Sequence, residues 1–263
     1  MSCNSCKSGS SGLPRGCNNN GNCSSGSCGT FTVFDWLSDI SNSKINPFKI
    51  VEVRFKNGRK GYYRNNELNV SIGDTILTES EKGYDIGAVT LTGELVRIQL
   101  KKKGINIDDE LYSLKRFPNE KEISKWQELM RKESEIQVRA RIIAIDLGLK
   151  MKISDVEFQA DGSKVIFYYT ADQRVDFREL IKKYAAEFKT RIEMKQVGLR
   201  QEASRLGGIG SCGRELCCST WLNDFRKVNT SAARYQKLSI NPQKLAGQCG
   251  KLKCCLNYEL DTY

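Results

Sequence analysis

The pattern of hydrophobic and polar positions first indicates a strand-rich region. Between residues 49 and 118, apolar residues alternate with polar ones, as at Val51, Val53 and Phe55, and glycine-containing turns such as Asn57-Gly58 separate the runs. A period of two is typical of strands that bury one face. We therefore predict a small β-rich, barrel-like domain over residues 49–118, either a barrel or a curled sheet.

Residues 119–150 change to the period of an α-helix. Apolar residues recur at helical spacing from Ile123 to Leu147, and Gly148 follows as a candidate C-terminal cap. The pattern predicts one long helix that links the strand-rich domain to the rest of the chain.

Residues 151–263 begin with a ββαβ pattern. Alternating runs on either side of Asp161-Gly162 predict a hairpin, an amphipathic helix with Asp176 as its candidate N-cap follows, and "RIEMKQ" predicts a further strand. This order indicates an α+β fold rather than a doubly wound parallel sheet. The fold class expected for the whole chain is α+β, with a cysteine-rich region after the ββαβ layer.

The first 48 residues have a different composition. Residues 31–48 include "FTVFDWLSDI", whose apolar residues at helical spacing predict a short docking segment. Residues 1–30 are mostly Gly, Ser and Asn, so a disordered tail is predicted. The tail thiols are candidates for extra metal ligands, redox-active groups or inert reduced cysteines: Cys3, Cys6, Cys17, Cys23 and Cys28.

Two nine-residue segments repeat one cysteine pattern. "GSCGRELCC", residues 210–218, recurs 37 residues later as "GQCGKLKCC", residues 247–255, and both fit GxCG[RK]xxCC. The glycine between the thiols permits a tight turn, and the basic residue after it favours thiolate over thiol. Three thiols on one short segment suit a metal, so the repeats supply six candidate ligands: Cys212, Cys217, Cys218, Cys249, Cys254 and Cys255.

The chain contains 11 cysteines and no histidine. Without an imidazole, the chain itself has no Cys/His zinc site, no HExxH site and no Ser/His or Cys/His catalytic pair. Six thiols suit one four-thiolate site with two to spare, or two three-thiolate sites completed by the tail, a carboxylate or another subunit. The spacing names no metal. The alternative is that these cysteines are buried structural residues.

The composition favours a soluble, cytoplasmic protein. No apolar run reaches the length of a membrane span, and the N-terminus lacks the layout of a secretory signal. An odd number of cysteines in a reducing compartment favours metal or redox chemistry over disulfides. We find no Walker phosphate-binding loop and therefore expect no intrinsic nuclease activity.

Positive charge is concentrated in the cysteine-bearing part of the chain. The net charge is +11, and residues 178–257 alone contain 16 basic and six acidic residues. Such an excess suits nucleic-acid phosphates or merely keeps the domain soluble, and no RNP-type aromatic motif decides between them. The Gly207–Gly210 run has a GxxG spacing, but its position favours a turn. The candidate nucleic-acid contacts are Lys182, Lys183, Arg191, Lys195, Arg200, Arg205, Arg226 and Lys227.

Several long stretches resemble one bacterial family. "KVIFYYTADQRVDFRELIK", "GGIGSCGRELCCSTWL" and "LSINPQKLAGQCGKLKCC" resemble the YaaT/RicT proteins, which carry the polymerase-suppressor (PSP) C-terminal domain. The resemblance covers about residues 50–258. It implies a noncatalytic subunit that carries [4Fe-4S] clusters and assists RNA maturation by the membrane-associated endonuclease RNase Y, together with small helical partners of the YlbF and YmcA families.

The resemblance also implies that the cluster ligands are the six cysteines of the two repeats. Three alternatives stay open at this point. The first is a Zn²⁺ site in place of a cluster. The second is a thiol-based redox sensor, and the third is a nucleic-acid-binding protein with a structural zinc site and RNA as its partner.

Overall fold

A computed structural model describes residues 48–66, 68–106, 111–222 and 224–263. The predictions of a tail over residues 1–30 and of a docking segment over residues 31–48 lie outside these residues, Phe48 excepted. The chain divides into two compact units. The first contains the described residues up to Val138 with Val156–Ile166 and Tyr184–Glu193, and the second contains Arg139–Asp155, Phe167–Lys183 and Met194–Tyr263.

The first unit is built on a five-stranded antiparallel sheet with the strand order β2-β1-β4-β3-β5. A 3₁₀ turn at Lys56–Gly58 joins its first two strands, and Gly58 has φ +74°. The turn thus falls at the predicted Asn57-Gly58 position. The strands are β1 Ile50–Arg54, β2 Lys60–Arg64, β3 Thr75–Glu79, β4 Tyr84–Leu91 and β5 Leu114–Arg116.

Of the two predicted forms, the barrel is wrong, because this sheet is open. β2 and β5 are its edges, and an isolated bridge from Arg64 to Ser113 connects the edges without forming a ladder. Closure requires the edge strands to pair along their length. β5 has three residues, too few for such pairing.

Helix α1, Glu94–Lys103, was not predicted. The alternation of Val96, Ile98 and Leu100 mimics a strand, but the helix buries Val96 and Leu100 and leaves Ile98 61% exposed. The two buried side chains pack with Ile50 and Tyr62 of the sheet. Period alone did not distinguish a short helix from a strand here.

The predicted long helix is confirmed as α2, Glu120–Asp146. In the first unit, Trp126 packs against Leu77 and Ile86, which anchors the helix on the sheet. The helix ends at the predicted cap. Gly148 has φ +64°, and the Leu149 N–H donates to the Ala144 carbonyl over 3.1 Å, a Schellman-type ending.

The predicted ββαβ layer is also confirmed. β6 Lys152–Phe158, β7 Lys164–Thr170 and β8 Arg191–Gln196 form a three-stranded sheet in the order β6-β7-β8, with α3 Arg178–Phe188 between the last two strands. The hairpin turn contains Gly162 at φ +77°. The Asp176 carboxylate accepts the Arg178 N–H over 3.0 Å at the start of α3.

Four short helices in the second unit surround the cysteine repeats. α4 Leu199–Leu206 precedes the first repeat, α5 Thr230–Tyr235 and α6 Pro242–Leu245 lie between the repeats, and α7 Cys255–Tyr258 begins at the last cysteine of the second repeat. Within the described residues, no helix combines the length and apolar character required to cross a bilayer.

Candidate metal centre

The two cysteine repeats have the same backbone structure. The Gly210 N–H donates to the Arg214 carbonyl over 2.8 Å, and the Gly247 N–H donates to the Lys251 carbonyl over the same distance. An isolated antiparallel bridge closes each loop at equivalent positions. Because two loops 37 residues apart share these bonds, the nine-residue motif itself specifies the loop.

One glycine in each repeat requires a left-handed backbone. Gly213 has φ +78° and its counterpart Gly250 has φ +70°. A Cβ atom added at either position would have no other atom within 4 Å. The requirement for glycine is therefore conformational and not steric, as expected where the chain turns between the thiols.

Equivalent residues of the two repeats contact each other. Trp221 and Tyr258 lie 37 positions apart, and their ring centroids are 4.4 Å apart with planes inclined by 57°. Cys217 and Cys254 are also equivalent, and Cys217 acts electrostatically on Cys254. Contact between equivalent residues is typical of a two-fold relation, since head-to-tail packing joins unlike surfaces. The two repeats thus meet through equivalent residues.

All six predicted thiols line one cleft of about 540 Å³ in the second unit. Cys212 is exposed and the other five are half-buried, and all six are free thiols. Sequence reasoning predicted the residues and left open whether the two repeats share one site or form two. The structure therefore brings together the complete set of candidate ligands.

The thiols influence one another across the cleft. Burial raises the pKa of Cys218, Cys254 and Cys255, and neighbouring thiols raise it further. Cys249 and Cys217 act on both Cys218 and Cys254. Several thiolates this close repel each other, and a bound cation relieves that repulsion. The arrangement favours a cation over free thiolates.

The densest coupling involves four of the six thiols. Cys217 and Cys249 each act on both Cys218 and Cys254, and Cys254 also acts on Cys218, whereas Cys255 is affected by Cys217 alone among the thiols. In the part of the chain that the structure describes, no three Cys, Asp or Glu side chains meet in the geometry of a metal site. Coordination would thus require thiol side chains to rotate within the cleft.

Helix α4 holds both repeats. The Ser204 hydroxyl donates to the Cys218 carbonyl of the first repeat. Four residues earlier, Arg200 donates from Nη2 to the Leu252 carbonyl of the second repeat and from Nη1 to the Arg226 carbonyl, each over 3.0 Å. Residues at i and i+4 share one helix face, so a single face of α4 binds the backbone of both repeats.

Arg200 also has an electrostatic effect on the cleft. Burial raises the pKa of Cys254, and the Arg200 guanidinium opposes that rise. Its Nε is buried and has no hydrogen-bond partner. Sequence analysis predicted Arg200 as a nucleic-acid contact, but the structure places it against the second repeat.

Arg205, another predicted nucleic-acid contact, is bound within the second unit. Its guanidinium pairs with Asp155 at 2.9 Å and lies 3.5 Å from the ring centroid of Tyr168. Arg226 pairs with Asp224 at 2.7 Å. The predicted contacts with exposed side chains are Lys182, Lys183, Arg191, Lys195, Arg226 and Lys227.

The predicted turn at Gly207–Gly210 is present. Gly207 caps α4 by donating its N–H to the Ala203 carbonyl over 3.0 Å, and Gly207 and Gly208 have φ +70° and +123°. The run turns the chain from α4 into the first thiol loop.

Two features of the site were missed from the sequence. The Trp221 and Tyr258 pair had a visible signal, since both residues continue the 37-residue offset of the cysteines. The contact from Arg200 to Leu252 spans 52 residues and had no local signal.

Known families match two parts of the chain. Residues 112–197 match the family described as "PSP1 C-terminal conserved region", and residues 227–263 match "PSP1-like protein, third domain". The second cysteine repeat lies inside the latter match. The first repeat lies in the interval between the two matches.

Individual relatives span bacteria and yeasts. The chain is 42% identical over 221 residues to "Stage 0 sporulation protein YaaT" of Bacillus subtilis, which covers 82% of this chain and 77% of that protein. It is 28% identical over 182 residues to an uncharacterized protein of Schizosaccharomyces pombe, 60% of this chain and 24% of that one. A 44-residue stretch is 50% identical to "Protein PSP1" of Saccharomyces cerevisiae, 17% of this chain and 5% of that protein. No solved structure matches.

Proposed function

We propose, for a chain that belongs to the YaaT/RicT family of PSP1-domain proteins, that it is a noncatalytic regulatory subunit that binds a [4Fe-4S] cluster and assists RNA maturation. The single observation that supports this cofactor is that thiols from both repeats line one cleft. Its partners would be RNase Y and small helical proteins of the YlbF and YmcA families.

The proposed ligands are the four coupled thiols of the cleft: Cys217, Cys218, Cys249 and Cys254. This set resolves the mismatch between six thiols and four ligand positions, since it takes two thiols from each repeat. When bound, the cluster would supply an electron-accepting centre sensitive to oxygen. Cys212 and Cys255 would lie beside it as additional thiols.

The pKa values of three cleft thiols disfavour those three as nucleophiles of a redox enzyme or sensor. Reactive cysteines usually have a lowered pKa, because the thiolate is the nucleophile. Here burial raises the pKa of Cys218, Cys254 and Cys255 instead.

Metal analysis of the anaerobically purified native chain tests the cofactor. We expect brown protein containing iron and acid-labile sulfide in equal amounts, because a [4Fe-4S] cluster contains four of each. Stoichiometric zinc with no iron under these conditions would contradict the cluster and leave a structural zinc site.

Co-purification from native cells under anaerobic conditions tests the adaptor role. We expect YlbF- and YmcA-family proteins and RNase Y to accompany the tagged chain. The matched variant Cys217→Ser/Cys254→Ser, which lacks one ligand from each repeat, should retain less of them. An intact cluster with no such partner would contradict the adaptor role alone.

Direct RNA binding is a separate test. The exposed cations Lys182, Lys183, Lys195 and Lys227 predict binding that weakens steeply with salt, because phosphate contacts release counterions. Absence of binding by the isolated chain at low salt would leave the partners as the RNA-contacting components.

A further inference from the structure

Helix α1 of the first unit exposes a face that is partly apolar and partly basic. Ile98 is 61% exposed, and Leu95, three positions earlier, is 37% exposed. Lys101 and Lys102 lie three and four positions after Ile98, so all four side chains share one side of the helix. Both lysines are exposed, and neither forms an ion pair with a carboxylate of the described residues. We call these four residues the outer face of α1.

One segment of this chain has the complementary composition. Residues 31–40, "FTVFDWLSDI", contain six apolar residues, two aspartates and no basic residue. Phe31, Phe34 and Leu37 recur at helical spacing. An apolar and acidic segment thus matches an apolar and basic helix face in both respects.

The connection along the chain is short enough to bring this segment to α1. Phe48 packs against the cluster of buried residues that includes Val96 and Leu100, the inner face of α1. Eight residue steps separate Ile40 from Phe48, so the two lie at most about 29 Å apart. A helix of ten residues is only about 15 Å long. The outer face of α1 is therefore within reach of residues 31–40 of the same chain.

We propose that residues 31–40 dock on the outer face of α1 in the same molecule. Their apolar side chains pack on Leu95 and Ile98, and their two aspartates lie beside the two lysines. A short covalent connection gives the segment a high effective concentration at this face, which favours it over a separate protein. The contact does not depend on a metal in the cleft. It would fix on the first unit the point where the cysteine-rich residues 1–30 begin.

Amide hydrogen exchange of the full-length chain, measured by mass spectrometry, tests the docking. In the wild type, residues 31–40 should exchange more slowly than a free peptide of the same sequence, and at a rate independent of protein concentration. Ile98→Asp places a charge in the apolar contact and should speed exchange of the segment by about tenfold. The matched control is Val138→Asp, which changes an exposed apolar side chain of α2 and should leave this rate unchanged.

Charge reversal tests the polar part of the contact. Lys101→Glu/Lys102→Glu should speed exchange of residues 31–40, because the lysines then repel the aspartates. Adding Asp35→Lys/Asp39→Lys should restore the slow rate, since the pairs form again with opposite signs. Residues 108–110, Asp-Asp-Glu, also follow α1 closely in the sequence. If they pair with the lysines instead, the added changes give no rescue, which contradicts the proposed pairing.

Three results would overturn the docking itself. The first is exchange of residues 31–40 in the wild type at the rate of the free peptide. The second is slow exchange that Ile98→Asp leaves unchanged, which would place the segment on another surface. The third is slow exchange that appears only as the protein concentration rises, which would assign the outer face of α1 to a second copy of the chain. Slow exchange of β1 and β4 in the same samples verifies that each variant is folded.

Discussion

The first and second cysteine repeats have the same loop but are anchored differently. In the second, Leu245 and Leu256 are buried with Ala232 and Ala233 in a small apolar core. The equivalent positions in the first repeat, 37 residues earlier, are Gly208 and Ser219. A hydrogen bond from Ser204 to the Cys218 carbonyl holds the first loop instead. The motif specifies the loop, whereas the flanking residues decide how it is held.

The repeats also differ electrostatically. Arg200 donates to the Leu252 carbonyl and acts on Cys254, both in the second repeat. The two copies of the thiol pattern therefore have the same backbone geometry but different electrostatic surroundings. Four pairs of equivalent positions test how far the two repeats are equivalent.

The largest expected difference is in the iron retained when the first cysteine of either repeat is replaced. Cys249 is half-buried and coupled to Cys218 and Cys254, whereas its counterpart Cys212 is exposed. We expect Cys249→Ser to lose most of the bound iron and Cys212→Ser to retain it, as measured in anaerobically purified protein. Equal losses in both variants would mean that the two repeats supply equivalent ligands.

A large difference is also expected in the anchoring of the loops. Leu256→Ala removes a side chain that is 3% exposed and should lower the free energy of unfolding by about 2–5 kcal/mol. Ser219→Ala removes one hydrogen bond to the Leu216 carbonyl and should cost at most about 1 kcal/mol. Urea denaturation of the metal-free protein measures both. Similar costs would contradict the view that the apolar core anchors only the second repeat.

A smaller and equal effect is expected at the turn glycines. Gly213→Ala and Gly250→Ala each force a Cβ into the left-handed region, at a cost of about 1–2 kcal/mol. The control is Gly198→Ala, where φ is −75° and the space around a Cβ is open. Unequal costs in thermal unfolding would show that the loops are not equivalent after all.

The smallest effect is expected at the aromatic pair between the two repeats. A double-mutant cycle with Trp221→Ala and Tyr258→Ala should give a coupling of about 0.5–1.5 kcal/mol in urea unfolding. Because both side chains are exposed, each single change should cost little. Additive effects would contradict a direct contact between the repeats.

Periodicity predicted the elements whose apolar residues recur on a single face of the helix or strand. α2 and the ββαβ layer were found in this way, and the caps at Gly148 and Asp176 were visible as residue types. Two features were not predicted correctly: the barrel was expected but the sheet is open, and α1 was not expected. Closure of a sheet depends on pairing between distant strands, and the residues of α1 happen to alternate.

The sequence identified the residues of the site but not how they are arranged in space. The repeated motif identified all six thiols, and its 37-residue offset extends to Trp221 and Tyr258. Which thiols couple depends on how the repeats face each other, and this is set by contacts from α4 across 14 residues at Cys218 and 52 residues at Leu252. Such contacts have no signature in local spacing.

The distance along the chain between the repeats has a mechanical consequence. A group held by Cys217 and Cys254 would cross-link the chain across 37 residues, as a disulfide does. By the chain-entropy relation, closing a loop of that length removes about 4 kcal/mol of freedom from the unfolded chain. Loss of the group would remove this constraint and lower the free energy of unfolding of the region that carries α5 and α6 by about the same amount. Occupancy of the cleft would then be measurable as a difference in the unfolding free energy of this region, although α5 and α6 are folded in both states.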